Sequence, residues 1–260
     1  MDLPSRCAAV IPCLNEAATI EPLVHEVRTC LAVVIVVDDG STDGTAELAA
    51  RVGAEVIRHE YPRGKGAALA SGWGRARERG YTWALSLDGD GQHAPSDIPA
   101  FLRCAERTGA PLVVGNRMVD SSGMPWLRRG VNRWMSRRIS RLTGLWLPDT
   151  QCGFRLMRLD AWARVHLNAD HFEIESELLC KFIAAGQKVE FVPVRVIYRG
   201  EQSKIQPLRD TRRWFRWWWQ ARGWHQTRVL DKPLCGMTNY EIRRNDETRM
   251  TKPERMTKSE

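Results

Sequence analysis

Three familiar features are missing from this 260-residue chain, and each absence narrows what it does. No stretch approaches the roughly 18 consecutive apolar residues that cross a bilayer, and no apolar run follows a basic N-terminal patch. The expectation is a protein that is neither exported nor membrane-spanning. The seven cysteines (7, 13, 30, 104, 152, 180 and 235) are odd in number and form no C-x-x-C pair, so neither a disulfide framework nor a zinc site is suggested. A reducing cytoplasm is the simplest compartment. The usual phosphate loops are absent as well: Arg63-Gly64-Lys65-Gly66 lacks the first glycine and the Ser/Thr of a P-loop, and no G-x-G-x-x-G follows the first strand. Neither an ordinary ATPase nor a dinucleotide enzyme fits.

What is present is an ordinary apolar share of 43%, enough for one core plus a tail, and an uneven charge. Residues 1–110 carry 11 Lys/Arg against 15 Asp/Glu, a net of −4, whereas the remaining 150 residues carry +12. The second part therefore offers cationic surface to an anionic partner, nucleic acid or a lipid headgroup layer.

The run from Leu85 to Leu87 ends in Asp88-Gly89-Asp90-Gly91-Gln92-His93. Residues i and i+2 of an extended segment point the same way, so Asp88 and Asp90 reach one point if the strand runs to its end there. Two carboxylates plus the Gln92 amide oxygen suit Mg²⁺ or Mn²⁺, hard ions that commonly hold a phosphate-bearing substrate. The bland alternative is an acidic turn. A calcium loop is ruled out by the spacing.

Around that stretch, strands and helices alternate. Strands are expected at Ala8–Pro12, Val33–Val37, Val56–Ile57, Thr82–Leu87, Leu112–Val114 and Val189–Tyr198. Helices are expected at Ala17–Cys30, Ala46–Val52 (capped by Ser41 or Asp43), Gly66–Arg79, Ser96–Glu106, Met124–Leu142, Phe172–Ala185 and Pro207–Trp224. This rhythm predicts an α/β fold: a three-layer αβα sandwich on a mostly parallel sheet, Rossmann-like, with ligands beyond the carboxyl ends of the strands. Glu16, Asp38, Asp39, Asp88, Asp90, Asn116 and Arg117 all follow strand ends. Their convergence points to a nucleotide-plus-metal site.

The motifs V-I-P-C-L-N-E (10–16), V-V-D-D-G-S-T-D-G-T (36–45), R-G-K-G-A-A-L (63–69), L-D-G-D-G-Q-H (87–93), G-N-R (115–117), D-T-Q-C-G-F-R (149–155) and S-K-I-Q-P (203–207) resemble, in that order, family 2 glycosyltransferases of the GT-A fold. The likeness is closest to the polyprenyl-phosphate sugar synthases and covers roughly residues 7–215. It implies that Pro12, Leu14, Glu16, Val37, Asp38, Asp39, Lys65, Asp88, Gly89, Arg199 and Lys204 bind the nucleotide sugar, with Leu14 where the family usually carries an aromatic. It further implies Asp88, Asp90 and Gln92 as ligands of Mg²⁺ or Mn²⁺, and Arg117 as a phosphate-facing arginine. Asp149 is a candidate base should the acceptor be a hydroxyl, and Asp149 or Glu175 is expected to face the sugar.

Met124–Leu142 places Arg129, Arg133, Arg137 and Arg141 at four-residue intervals on one face, and Val131, Trp134, Met135, Ile139 and Leu142 on another. Like charges at that spacing repel by a few tenths of a kcal/mol per pair, which an anion relieves. The resemblance places the lipid phosphate in this region, near Arg129, Arg133 and Ser136. Pro207–Trp224 holds five of the 11 tryptophans, and with its arginines it reads as a helix lying in the headgroup layer through Arg213, Trp214 and Trp218. A helix packed on its own core is the rival. The expected layout is a catalytic domain over 1–206, an interface segment over 207–230 and a flexible tail over 231–260. The expected enzyme is an inverting, metal-dependent hexosyltransferase working from a UDP- or GDP-sugar on a polyprenyl phosphate or other lipid. It would bind no nucleic acid and sit peripherally on the inner face of the membrane.

Overall fold

In the computed structural model, residues 2–121, 123–197 and 207–224 are described. The strands are β1 (Cys7–Cys13), β2 (Val33–Asp38), β3 (Glu55–Arg58), β4 (Trp83–Ser86), β5 (Leu112–Asn116), β6 (Arg155–Arg158) and β7 (Val189–Pro193). The helices are α1 (Ile20–Arg28), α2 (Thr45–Arg51), α3 (Lys65–Glu78), α4 (Ile98–Thr108), α5 (Trp126–Thr143), α6 (Leu159–Trp162), α7 (Ile174–Ala184) and α8 (Pro207–Trp224). The strands form one sheet in the order β3-β2-β1-β4-β6-β5-β7. Only β6 runs antiparallel to its neighbours. The mostly parallel α/β architecture expected from the sequence is therefore the one the chain adopts.

Its cause lies in the strands themselves. β1 and β2 are near-continuous runs of small and β-branched apolar residues, buried on both faces, as a sheet covered by helices on both sides requires. Phe101, Phe154 and Phe182 fill the core of the other half of the sheet. α3 lies so close to the sheet that a Cβ on Gly72 would approach Val10 Cγ1 to 2.3 Å. Strand order reverses between β1 and β4, and the loops after β1, β2, β4 and β5 open on one rim. Because β6 runs the other way, the loop entering it, 149–154, reaches the same rim.

Three expected boundaries move. The first helix starts at Ile20, not at Ala17, because the amides of Asn15, Glu16 and Ala17 donate to Ser41 Oγ, Thr45 Oγ1 and Asp43 Oδ2, with Asn15 at a positive φ of 53°. Neither Ser41 nor Asp43 is the N-cap of α2; Gly44 takes that place. The last strand ends at Pro193 well short of Tyr198, since Arg195 is drawn away to Asp97 through its backbone N–H and guanidinium, and Val196 instead forms a single bridge with His93.

The C-terminal helix departs most from expectation. Trp214, Trp217 and Ala221 are buried, and Trp214 Nε1 donates to Ser176 Oγ of α7. Its ring lies 5.5 Å from Trp134 of α5. Trp214 therefore packs on the protein's own core and cannot contact lipid, while Trp219 is 70% exposed. No described helix is long and apolar enough to cross a membrane.

Candidate active site

The centre of the rim is the turn after β4. Leu87 is buried and anchors the turn, leaving Asp88, Gly89 and Asp90 to project beyond the sheet. Gly89 is required by space: a Cβ there would lie 2.6 Å from Cys13 Sγ. Its carbonyl accepts from Thr19 Oγ1 at 2.7 Å, which ties the turn to the loop after β1. The far end is held by Ile197 N–H donating to Gln92 O at 2.9 Å.

Asp88 is enclosed. Lys65 Nζ, from the first turn of α3, lies 2.6 Å from Asp88 Oδ1 and 2.5 Å from Glu175 Oε1, linking β4 to α7. His93 Nε2 approaches Asp88 Oδ2 to 3.7 Å. A Cβ at Gly153 would lie 2.7 Å from both Asp88 oxygens, so the 149–154 loop passes directly over the carboxylate. Burial works against the charge on Asp88, but Lys65 and His93 overcome it and hold the carboxyl well below the usual carboxylate range. Asp90 moves the opposite way, pushed up by burial and by the Asp88 charge. Two carboxylates so close, one of them disfavoured as an anion by the other, form a donor set that suits a divalent cation.

Among the described residues no group of three or more His, Cys, Asp and Glu gathers to hold a metal. A cation here would thus be held by Asp88 and Asp90, with its remaining positions open to substrate phosphate and water, the mode Mg²⁺ favours. Gln92 is less free than the sequence implied, because its Oε1 accepts from Arg128 Nη1 at 3.3 Å.

The acidic pair after β2 is buried. Asp38 Oδ1 accepts from the Ser41 amide at 3.0 Å. Asp39 accepts from His59 Nδ1 at 2.7 Å and from the amides of Arg63 at 2.9 Å and Gly64 at 2.7 Å. Asp39 thereby fixes the 63–66 loop that starts α3 and delivers Lys65. Val37 is buried, Pro12 and Glu16 are partly covered, and Leu14 is 36% exposed at the mouth of the rim.

Arg117 and Asp149 are each other's partners. Arg117 Nε and Nη2 donate to Asp149 Oδ2 and Oδ1 at 2.7 and 2.9 Å, and the amides of Arg117 and Gln151 donate to the same carboxylate. Burial would raise the Asp149 pKa, yet Arg117 and these amides hold it low. The carboxylate is fully buried and its oxygens are taken by Arg117 and two amides, so this arrangement leaves Asp149 no access to a substrate hydroxyl, against the expected base role. Ser136 is likewise withdrawn from the proposed lipid contact: it is buried and accepts from the Thr150 amide at 3.0 Å. Arg129 and Arg133 remain on the outer side of α5, Arg213 is half-buried, and Trp218 stacks near-parallel to Trp214. Arg199 and Lys204 lie outside the described residues.

Sequence reasoning missed His93, Gly153 and His59 as parts of this rim. His93 lies seven residues beyond the end of β4, and a histidine at that distance from a strand carries no pattern of its own.

Residues 8–165 match the family model described as glycosyl transferase family 2. The chain belongs to that family. It is therefore a glycosyltransferase. Among its relatives, the glycosyltransferase AglJ of Haloferax volcanii is 32% identical over 81% of this chain and 70% of its own. The undecaprenyl-phosphate mannosyltransferase of Micrococcus luteus is 30% identical, covering 75% and 84%, and the polyprenol monophosphomannose synthase of Mycolicibacterium smegmatis is 29% identical, covering 73% and 76%. The fold is also that of glucosyl-3-phosphoglycerate synthase from Mycobacterium tuberculosis, solved with Mn²⁺, UDP and phosphoglyceric acid. That structure superposes with a TM-score of 0.64 at 22% identity, covering 83% of this chain and 76% of that one. The expected resemblance to the polyprenyl-phosphate sugar transferases thus holds.

Proposed function

We propose that this family 2 enzyme moves a hexose from a UDP- or GDP-sugar to a polyprenyl phosphate, or another lipid acceptor, at the cytoplasmic face of a membrane, inverting the anomeric centre with Mg²⁺ or Mn²⁺. The observation that carries the reading is the Asp88–Asp90 pair, two carboxylates one residue apart just past the end of β4 and beneath the loop through Gly153. A cation held there supplies charge to the departing diphosphate.

The chain's own residues supply the rest. Lys65 keeps a positive charge inside the site because Asp88 and Glu175 outweigh the burial that opposes it. Arg117, just past the end of β5, is held in place by Asp149. The loop through Gly153 passes close against Asp88. A lipid phosphate is already an anionic nucleophile and needs positioning without a general base, which agrees with the withdrawal of Asp149 from that role. The relatives named for undecaprenyl-phosphate and polyprenol acceptors support the lipid class.

Access to lipid is supported by the outer side of α5 and α8. Trp126, Leu127, Gly130, Val131, Trp134, Met135 and Phe215 line an apolar groove of about 380 Å³. Arg133, Arg137 and Arg141 stand exposed on the same helix.

The test is release of nucleoside diphosphate from a panel of UDP- and GDP-sugars with Mg²⁺ or Mn²⁺, with and without undecaprenyl phosphate in micelles. Lipid-stimulated release from one donor is the expected result; release indifferent to the lipid phosphate would sink the acceptor assignment. Asp90→Ala is expected to abolish turnover while leaving the melting transition in place, and undiminished activity in that variant would remove the metal reading.

A further inference from the structure

We infer that Lys65 is the resident cation of the Asp88–Asp90 centre when no metal is bound, and that a divalent ion engages Asp88 only by displacing the ammonium onto Glu175. The inference rests on the metal reading above and assigns a role to a residue of this chain. Three observations carry it. Lys65 Nζ lies at ion-pair distance from both Asp88 Oδ1 and Glu175 Oε1, so it already bridges the metal carboxylate to a second carboxylate. Glu175 is buried and its carboxylate already lies 2.5 Å from Lys65 Nζ, which makes it a holding place for the ammonium. The ring of Phe172 lies 5.6 Å from Nζ on that same side, adding a cation–π contact that does not depend on Asp88.

Geometry forces the exchange. A divalent ion bonds a carboxylate oxygen at about 2.0–2.1 Å. An ammonium 2.6 Å from Asp88 Oδ1 would then sit within a few ångströms of that ion, and two cations so close in a covered site repel strongly. The backbone cannot retreat, because the Gly66 amide donates to Asp170 O at 2.8 Å and a Cβ on Gly66 would lie 2.3 Å from Ala169 O. Only the four-carbon side chain is free to move, and Glu175 keeps it beside the rim, where a substrate phosphate would arrive.

Titration of the full-length protein with Mn²⁺ alone, followed by the EPR signal of free Mn²⁺, tests this. Lys65→Met is expected to bind Mn²⁺ about tenfold more tightly than wild type, since the competing charge is gone. Glu175→Gln is expected to bind it more weakly, because Lys65 is left with Asp88 as its direct ion-pair partner. Melting curves with and without Mn²⁺ report whether each variant is folded, and the Mn²⁺-induced rise should be largest for Lys65→Met. Wild-type binding with equal or weaker binding by Lys65→Met, or unchanged or tighter binding by Glu175→Gln, overturns the inference alone. If Lys65→Met does not fold, the sign of the Glu175→Gln effect decides. No Mn²⁺ binding by either wild type or Lys65→Met overturns the metal reading and the inference together.

Discussion

At the scale of single residues, the Arg117–Asp149 pair shows how a buried ion pair changes a functional assignment. Asp149 accepts two guanidinium and two amide hydrogens and is fully buried. Removing one partner of such a pair leaves the other charge uncompensated, which typically costs about 3–5 kcal/mol, whereas replacing both with apolar groups costs far less. Asp149→Asn is therefore expected to destabilise the fold by a few kcal/mol in denaturant titration, and Arg117→Met/Asp149→Leu to recover much of that loss. The pH dependence has a definite sign. The folded pKa of Asp149 lies below its unfolded value, near 3.9 for a free Asp. Its contribution to stability is thus complete above about pH 4 and is lost as pH falls toward the folded value. Asp90 is raised and acts oppositely: it favours the fold most when protonated and loses that contribution as pH rises through its folded pKa. Acid unfolding should accordingly begin earlier in wild type than in the apolar double variant. Identical acid midpoints would show that the pair contributes nothing to the pH dependence.

At the scale of elements, what the sequence revealed and what it hid separate by physical cause. Periodicity located the helices and central strands because burial on a sheet leaves a repeating apolar signature. The paired aspartates were legible because the i, i+2 rule needs only a strand end. Partners drawn from distant loops were not: nothing in local spacing says that Asp149 meets Arg117, that Gly153 lies over Asp88, or that the amides of 15–17 bond to the loop at 41–45. The face of α8 was also ambiguous, since Trp and Arg in alternation describe an interfacial helix and a packed one equally well. The structure divides its tryptophans, with Trp214 buried against Ser176 and Trp134 and Trp219 exposed. Trp214→Ala is expected to lower stability by about 3–5 kcal/mol, as for other buried Trp truncations, with Trp219→Ala within about 0.5 kcal/mol of wild type. Equal effects of the two substitutions in thermal melts would mean that α8 does not pack as described. Gly72→Ala probes α3 in the same way: with Val10 Cγ1 2.3 Å from the new Cβ, overpacking is expected to cost about 1–3 kcal/mol.

At the scale of the whole molecule, the charge asymmetry of the sequence becomes a division of surface. The acidic first 110 residues contribute the strand-end carboxylates of the rim, while the basic remainder contributes α5, whose Arg129, Arg133, Arg137 and Arg141 have no carboxylate within salt-bridge distance among the described residues. On the same helix the exposed Trp126, together with Phe215 of α8, lines the apolar groove, the apolar half of the proposed lipid-facing surface. A cationic side chain near an anionic bilayer contributes about 1 kcal/mol, so four would supply most of a reversible attachment and the aromatics the remainder. Binding to vesicles containing phosphatidylglycerol should then fall steeply with salt, and Arg133→Glu/Arg137→Glu should weaken it by about tenfold or more per residue changed. Trp126→Ala should weaken binding to anionic vesicles at low and high salt alike, because the apolar contribution is not screened. Melting temperatures should stay at wild type in both variants, since these side chains face outward. Salt-independent binding, or none to anionic vesicles, would detach the proposed lipid acceptor from this surface and leave the rim chemistry to serve a soluble one.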